Sequence, residues 1–125
     1  MEKITVLLAD DHTMVRQGIK QLISSNEDME VVAETDNGRE VVKLAQKTQP
    51  TVALIDISMP GLNGLEVVKQ LHKACPETHV LVLTIHTDEA YIFQALKSGA
   101  AGYVVKHSPA HELYSAIRAA ARGES

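Results

Sequence analysis

The stretch ITVLLADD, residues 4–11, decides the fold, because it joins an unbroken apolar run to a pair of aspartates. A strand that buries both faces in a parallel sheet has a continuous apolar sequence rich in Val, Ile and Leu, rather than an alternating one. The run Ile4–Ala9 has this composition. It therefore predicts a buried parallel strand that ends at two carboxylates.

Four further short apolar runs follow along the chain, and stretches with helical spacing of apolar residues separate them. The runs are Val31–Ala33, Val52–Ile55, Val80–Leu83 and Tyr103–Val105. Five strand–helix alternations of this kind predict the α/β class, with a doubly wound parallel sheet and helices on both of its faces.

Capping residues indicate where the helices begin and end. Asn37 and Asn63 are each followed three residues later by glutamate, which is a capping-box pattern. The fifth helix is predicted to use Ser108 as its cap, with Pro109 in the first helical position. The predicted helix stops are Pro76, Gly99 and Gly123.

Composition narrows the class of protein. The 125 residues are 45% hydrophobic and 22% charged, which predicts one globular domain. Twelve Lys and Arg against sixteen Asp and Glu give a net charge of −4, which disfavours a nucleic-acid-binding chain. The single cysteine, Cys75, excludes an intrachain disulfide. Since no segment has the length of a signal peptide or a membrane span, we expect a cytoplasmic protein without a membrane partner.

Polar residues stand at the end of all five apolar runs, and those after the second run, Glu34 and Thr35, are expected farther from a site because an outer strand would carry them. The other four runs supply the candidate site residues. They are Asp10 and Asp11 after the first run, Asp56 after the third, Thr84 after the fourth and Lys106 after the fifth. Ligand sites of open α/β sheets lie beyond the carboxyl ends of the strands, so we expect these side chains to converge.

This combination of residues suits phosphoryl chemistry. Clustered carboxylates repel one another and favour a cation, and oxygen ligands are those that Mg²⁺ prefers. A carboxylate can also form an aspartyl phosphate, while a hydroxyl and an ammonium can bind phosphoryl oxygens. Each residue has a structural interpretation as well: an acidic pair at a helix start, a turn aspartate, a strand-end threonine and a solvated lysine. Their co-occurrence at the strand ends favours a site.

Other motifs carry less information. His107 and His111 lie on either side of the predicted start of the fifth helix, so they do not share a ligand face. His12 is expected at the rim of the site or in solvent, and His86 could recruit a transition metal adventitiously. The sequence contains no G-x-G-x-x-G, G-x-x-x-x-G-K-[ST] or G-x-S-x-G motif.

Taken together, the motifs resemble those of the receiver domain of two-component response regulators. The matching segments are LADDH at 8–12, DISMPGLNG at 56–64, Thr84 and GAAGYVVK at 99–106. The first of these, the last, and the ending AAARGES at 119–125 are similar to the NarL/FixJ (LuxR-type) subfamily. The resemblance implies one receiver domain over residues 1–125, with a flavodoxin-like five-stranded sheet of order 2-1-3-4-5 and five helices. It also implies the N-terminal part of a longer regulator, whose helix-turn-helix domain is absent from these residues.

The resemblance assigns a phosphoacceptor and a metal site. Asp56 would accept a phosphoryl group from a cognate histidine kinase or a small phosphodonor. Asp11, Asp56 and the backbone carbonyl of Ser58 would hold Mg²⁺, and Asp10 would act directly or through water.

It also assigns a switch and an output surface. Thr84 and Lys106 would bind phosphoryl oxygens, and Tyr103 would be the aromatic residue that turns inward when Thr84 moves. The output surface would comprise the fourth helix, the fifth strand and the fifth helix. Residues expected on or near it are Tyr91, His107, His111 and Tyr114.

Two departures from the common receiver pattern concern the loops. His107 stands where many receivers have a proline after the lysine, and a cis bond there would cost roughly 2.5–4 kcal/mol, so we expect trans. Ser58 and His86 lie two residues beyond Asp56 and Thr84, at positions that tune phosphate lifetime in the family.

Three other functions remain open at this point. An aspartate-nucleophile phosphatase on a similar fold would want a second acid where Ser58 stands. A flavodoxin-like cofactor binder would place a phosphate beside Asp10 and Asp11, which would repel it. A receiver that works without phosphate, as a dimerisation module, is the third. For the receiver itself, the expected partners are the histidine kinase, a second copy, and DNA through the absent domain alone.

Overall fold

The computed structural model describes residues 2–59, 63–85 and 89–124 and contains one parallel sheet of five strands. The strands are β1 Ile4–Ala9, β2 Met29–Thr35, β3 Val52–Asp56, β4 His79–Thr84 and β5 Gly102–Val105. Their order across the sheet is β2-β1-β3-β4-β5, with every neighbouring pair parallel. The predicted fold class and strand order are confirmed.

Helices cover both faces of the sheet, as the strand–helix alternation predicts. They are α1 Thr13–Ser24, α2 Val41–Thr48, α3 Gly64–Ala74, α4 Glu89–Lys97 and α5 Ala110–Ala121, with a 3₁₀ turn at Gly38–Glu40. One apolar core packs α2, α3 and α4 on one face, and a second packs α1 and α5 on the other. No helix among the described residues is both long and apolar enough to cross a membrane.

The central strands explain the unbroken apolar runs. All five residues of β3 are buried, and along β1 successive side chains enter opposite cores. Leu7 and Ala9 pack in one core, while Val6 and Leu8 pack in the other. A strand that buries both faces has no position for a polar residue until it leaves the sheet, so its first polar residues mark the sheet edge.

Two of the predicted helix starts are wrong in detail. The Asn37 side chain caps the 3₁₀ turn by accepting from Arg39 N–H at 3.0 Å, and the Glu40 carboxylate accepts from the Thr35 hydroxyl at 3.1 Å instead of closing a capping box. The Thr35 hydroxyl, at the end of β2, occupies the Glu40 carboxylate that a capping box would direct to the Asn37 N–H. In contrast, Asn63 Oδ1 accepts from Glu66 N–H at 3.2 Å, as predicted.

The fifth helix begins one residue later than predicted. Pro109 is its N-cap, with an extended ψ of 149°, and among the described residues no side chain caps this helix, so Ser108 does not have the predicted role. The Pro109 carbonyl accepts from Glu112 N–H at 3.0 Å, and an N-cap residue needs no N–H of its own.

The predicted helix stops agree with the structure. Helix α3 ends at Ala74, two residues before Pro76. After α4, Gly99 has a φ of +118°, and a Cβ there would lie 2.7 Å from Cγ of His72, so only glycine fits. The described residues contain no cis peptide bond, so the bond between Lys106 and His107 is trans, as expected.

Candidate functional site

The two central strands bring two aspartates to one edge of the sheet. Ala9 of β1 pairs with Ile55 of β3, so Asp10 and Asp56 follow at the same level on neighbouring strands. Both carboxylates are fully buried, with no exposed surface. Burying two negative charges side by side is unfavourable unless cations or hydrogen-bond donors compensate them.

Lys106 supplies a positive charge from the residue that follows the edge strand β5. Its Nζ lies 2.8 Å from Asp56 Oδ2 and 3.2 Å from each oxygen of Asp10, and its side chain is 6% exposed. The backbone fixes this position, because the Lys106 N–H donates to the Thr84 carbonyl at 2.8 Å. One ammonium thus bridges two buried carboxylates.

Ser58 stabilises the negative charge on the second oxygen of Asp56, Oδ1. Its backbone N–H and its hydroxyl donate to Asp56 Oδ1 at 2.9 and 2.6 Å. Burial raises the pKa of Asp56, but the hydrogen bonds from Lys106 and Ser58 outweigh burial and hold that pKa below its usual 3.8. The carboxylate is therefore ionised at neutral pH, which is the form that a nucleophile requires.

His12 lies at the mouth of this pocket and contacts every charged group in it. Its side chain is 55% exposed, as expected for a rim residue. Its Nδ1 nevertheless lies 3.2 Å from Asp10 Oδ1, 3.5 Å from Asp11 Oδ1, 3.7 Å from Asp56 Oδ2 and 2.8 Å from Lys106 Nζ. We call the set of Asp10, Asp11, His12, Asp56 and Lys106 the acid pocket.

The acid pocket has donor atoms that fit a divalent cation. Among the described residues, two buried side-chain oxygens accept no hydrogen bond, Asp10 Oδ2 and Asp11 Oδ1, and both belong to this pocket. Asp10 Oδ2 is in ion-pair contact with Lys106 Nζ at 3.2 Å. One donor atom from each of Asp10, Asp11, His12 and Asp56 lies within 4.8 Å of the others. Carboxylate oxygens without donors suit a hard cation, so the residues present fit Mg²⁺.

Arg16 contributes to the site although the sequence did not indicate it. Its Nη1 donates to the Asp10 carbonyl at 2.8 Å, and its Nε pairs with Glu34 at 3.2 Å. Glu34 also pairs with Lys20, and together these contacts hold its pKa low against the effect of its partial burial. In the sequence, Arg16 belongs to the same polar face of α1 as Lys20, which is typical of a solvent-exposed residue. Its contact with the Asp10 carbonyl depends on how the turn between β1 and α1 is folded.

The other predicted residues lie around the pocket or apart from it. Thr84 ends β4 and is buried, and β4 lies between β3, which ends at Asp56, and β5, which Lys106 follows. Tyr103 is 46% exposed on β5 and lines a groove of about 370 Å³ together with residues of α4 and α5. His86 and the turn residues 60–61 lie outside the described part of the chain.

Most of the expected output residues are solvent-exposed. Tyr91 lies on α4, His107 follows β5, and His111 lies on α5. Tyr114, also on α5, is only partly exposed because it packs against the core beneath α5 and under the Arg118 guanidinium, whose Cζ lies 6.0 Å from the ring centre.

A five-stranded parallel sheet of this order, with a lysine and buried aspartates at its carboxyl edge, places the molecule in the class of signal receiver domains. Residues 6–118 match the family model of the response regulator receiver domain. The chain belongs to this family, and its relatives are two-component response regulators of the NarL, or LuxR, type.

Individual relatives match this chain over nearly all of its residues. The chain is 42% identical over 124 residues to the transcriptional regulatory protein YxjL of Bacillus subtilis, covering 99% of this chain and 57% of YxjL. It is 41% identical over 123 residues to the nitrate/nitrite response regulator NarL of Escherichia coli K12, covering 98% and 57%. The receiver domain of NarL from Mycobacterium tuberculosis superimposes with a TM-score of 0.94 at 35% identity, covering 99% and 100%. The chain thus spans little more than half the length of the curated relatives.

Proposed function

We propose that this receiver domain accepts a phosphoryl group on Asp56 from the phosphohistidine of a cognate histidine kinase, or from a small acyl phosphate. The observation that carries the proposal is the environment of that carboxylate, which is buried, ionised, and held by Ser58 on one oxygen and Lys106 on the other. An oxygen of Asp56 attacks phosphorus, the bond from phosphorus to the donor breaks, and the donor leaves with the electron pair.

Different residues of the acid pocket would have different roles in this transfer. Asp10, Asp11, Asp56 and the Ser58 carbonyl would hold Mg²⁺, which neutralises charge on the incoming phosphoryl group. Lys106 already contacts Asp56 Oδ2 at 2.8 Å, so its ammonium can move from a carboxylate oxygen to a phosphoryl oxygen with little reorganisation. The Thr84 hydroxyl would bind a second phosphoryl oxygen.

Phosphorylation would then reach the surface through the end of β4 and through β5. The Lys106 N–H donates to the Thr84 carbonyl, so a shift of Thr84 toward a phosphoryl group acts on the strand that carries Tyr103. We expect Tyr103, which is half exposed here, to turn inward and change the surface formed by α4, β5 and α5.

In the whole protein this switch would control transcription. YxjL is named a transcriptional regulatory protein, and it extends well beyond the matched region. We propose that a DNA-binding domain, a histidine kinase and a second copy of the chain are the partners, and that the protein works in the cytoplasm. The acidic receiver itself would not contact DNA.

Ser58 favours this proposal over an aspartate-nucleophile phosphatase. Such an enzyme needs an acid near the nucleophile to protonate the leaving group. The residue at that position is a serine, and its hydroxyl is already committed as a donor to Asp56. Steady turnover of a phosphomonoester would reverse this preference.

The test is phosphorylation of the chain by acetyl phosphate in the presence of Mg²⁺, followed by intact mass spectrometry. We expect one added phosphoryl group, none in Asp56→Asn, and none when a chelator replaces Mg²⁺. Asp28→Asn is the matched control, since Asp28 is a carboxylate at the opposite end of the sheet, and it should be phosphorylated normally. If the wild-type chain stays unmodified, the proposal is contradicted, and a dimerisation module that works without phosphate becomes the favoured function.

A further inference from the structure

We propose that Arg16 is a positioning residue for phosphoryl transfer, which holds the turn that carries Asp10 and Asp11 in the geometry the reaction needs. Its guanidinium donates to the Asp10 backbone carbonyl and to Glu34, which lies outside the acid pocket, so it acts through the turn and not on the reacting atoms. The inference rests on the proposed function, because it assigns a further residue to that same reaction.

The turn between β1 and α1 lacks the side chain that usually fixes a helix start. His12 is the N-cap of α1, and within the described part of the chain no side chain caps this helix. The first turn of α1 also has no acidic residue. Most helices begin with a Ser, Thr, Asp or Asn whose side chain accepts from an N–H of the first turn. The turn that carries both aspartates therefore needs another source of order.

Arg16 supplies two hydrogen bonds to this turn from within α1. Its backbone N–H donates to the His12 carbonyl at 2.8 Å, which is the opening bond of the helix and which most residues could make. Its Nη1 donates to the Asp10 carbonyl at 2.8 Å, which requires a long side chain with a donor at its end. Because a peptide unit is planar, this second bond fixes the plane between Asp10 and Asp11, and so the direction in which the Asp11 side chain leaves the backbone.

Strand β2 anchors Arg16 from the other side. Arg16 Nε donates to Glu34 Oε1 at 3.2 Å, and the Arg16 side chain is only 14% exposed. Hydrogen bonds from Lys20 and Arg16 hold the pKa of Glu34 below its usual 4.5, so the anchor is ionised at neutral pH. The Thr35 carbonyl, at the end of the same strand, accepts from the Asp10 N–H at 3.1 Å. Asp10 is thus tied to β2 twice, directly through its N–H and through Arg16 by its carbonyl.

An arginine suits both side-chain bonds at once. Its Nε and Nη1 belong to one rigid plane, so the guanidinium holds the Asp10 carbonyl and the Glu34 carboxylate in a fixed relation. A lysine has one nitrogen on a flexible stem, so Arg16→Lys should keep one of the bonds and lose the fixed geometry. Outer bonds that orient a site typically change metal affinity or activity by about 10–100-fold when they are removed. We expect the lower end of that range here, because the Asp10 N–H keeps its bond to Thr35.

The first measurement uses the 125-residue chain without metal or phosphodonor, and it is amide hydrogen exchange followed by NMR. The His12 N–H donates to Asp10 Oδ1 at 2.8 Å, so its exchange reports the order of the turn. In Arg16→Ala we expect this amide to exchange about tenfold faster than in the wild type. Amides of the central strand β3 report global stability, so the change at His12 is measured relative to theirs.

The second measurement is the initial rate of phosphorylation by acetyl phosphate as the Mg²⁺ concentration varies, by intact mass spectrometry. In Arg16→Ala the Mg²⁺ concentration for half the maximal rate should rise about tenfold. The rate at saturating Mg²⁺ should fall less than about threefold, because a bound cation restores the order of the turn. Arg16→Lys should lie between Arg16→Ala and the wild type.

Arg118→Ala is the matched control. It also removes a guanidinium that donates to a carboxylate, that of Asp28, but at the opposite end of the sheet. Its Mg²⁺ dependence, and its His12 exchange relative to β3, should be those of the wild type. The same changes in Arg118→Ala as in Arg16→Ala would overturn the inference, because the cause would then be a general loss of stability.

Wild-type His12 exchange and wild-type Mg²⁺ dependence in Arg16→Ala would also overturn the inference. If Arg16→Ala does not fold, Glu34→Gln removes the charge of the anchor and should shift both readouts in the same direction by a smaller factor; no shift there would likewise contradict the role of Arg16. A wild-type chain that acetyl phosphate leaves unmodified would contradict the proposed function, whereas the His12 exchange would still decide whether Arg16 orders the turn.

Discussion

The two ends of the same sheet treat polar groups in opposite ways. At the amino end, the Thr5 and Thr51 side chains hydrogen-bond each other, and the buried Thr78 hydroxyl donates to the Pro50 carbonyl at 2.8 Å. There, Asp28 in the loop before β2 forms a two-bond, partly exposed ion pair with Arg118 of α5. At the carboxyl end, the acid pocket buries Asp10 and Asp56 completely, and within the described part of the chain two of its carboxylate oxygens accept no hydrogen bond.

This difference suggests that the amino end of the sheet contributes to stability and that the carboxyl end suits a ligand. Polar groups at the amino end find partners within the chain, so they need nothing from solution. At the carboxyl end, three clustered carboxylates have one ammonium beside them, with further donors from Ser58 and from the His12 backbone N–H. The remaining negative charge costs stability that a bound cation would offset. A protein that kept such a pocket for stability alone would do better with apolar residues there.

The largest effect should follow removal of the one positive charge from the acid pocket. Lys106→Met keeps the apolar stem of the side chain and leaves Asp10 and Asp56 buried without their cation, so we expect a loss of about 3 kcal/mol in the free energy of unfolding. Urea unfolding followed by circular dichroism measures this, since the chain has no tryptophan.

The same variant tests whether the loss is electrostatic. Saturating Mg²⁺ should restore part of the stability of Lys106→Met, because the cation replaces the lost charge and binds only the folded chain. Lys20→Met is the control, as Lys20 is half exposed and its ion pair is with Glu34, outside the acid pocket. If Lys106→Met proved as stable as wild type without Mg²⁺, the two ends of the sheet would not differ in the way described.

A smaller effect is expected at the amino end. Thr78→Val keeps the shape of the side chain and leaves the buried Pro50 carbonyl without its donor, so stability should fall by about 1–2 kcal/mol. Mg²⁺ should stabilise this variant as much as it stabilises the wild type. A reduced response to Mg²⁺ would show that the two ends are coupled, and melting curves with and without Mg²⁺ measure it.

The smallest effect concerns pH. The hydrogen bonds from Arg118 lower the pKa of Asp28 below its usual 3.8, against a weaker effect of burial. The unfolded chain therefore binds a proton at Asp28 more readily than the folded chain does. The stability from this pair is present above about pH 4 and is lost as the pH falls through the folded pKa.

Asp28→Asn isolates that contribution. Wild type should lose more stability than this variant between pH 5 and pH 3. The remaining pH dependence reflects other carboxyls with a lowered pKa, which include Asp56, Glu34 and Glu124. Urea midpoints at the two pH values measure the difference. Equal pH dependence in both proteins would mean that the ion pair of Asp28 adds nothing to folding.

Much of the fold follows from the sequence because apolar runs and helix stops are local signals. The ends of β1 and the stop at Gly99 were predictable, since each depends on residues within a few positions. Strand β2 is longer than its apolar run Val31–Ala33, because it lies at the sheet edge, where polar residues are tolerated. The cap of α5 was wrong by one residue because serine and proline both suit a helix start.

The sequence predicted the charged residues of the acid pocket that end or follow strands, but not the contacts that His12 and Arg16 make there. Asp10, Asp56 and Lys106 end strands, and strand ends meet at one edge, so their meeting follows from topology. The contacts of His12 and Arg16 depend on how the turn after β1 is folded. No periodicity in the sequence describes that turn, so their roles required coordinates.

The hydrogen bond between Lys106 and Asp10 joins residues 96 positions apart, and the one to Asp56 spans 50 positions. During synthesis, the aspartates leave the ribosome long before the lysine that bridges them. A nascent chain that has not yet reached β5, or a chain cut by a protease before β5, therefore contains Asp10 and Asp56 but lacks Lys106. Only a molecule translated past β5 can form the complete pocket, so a shorter fragment would hold both buried aspartates without their lysine.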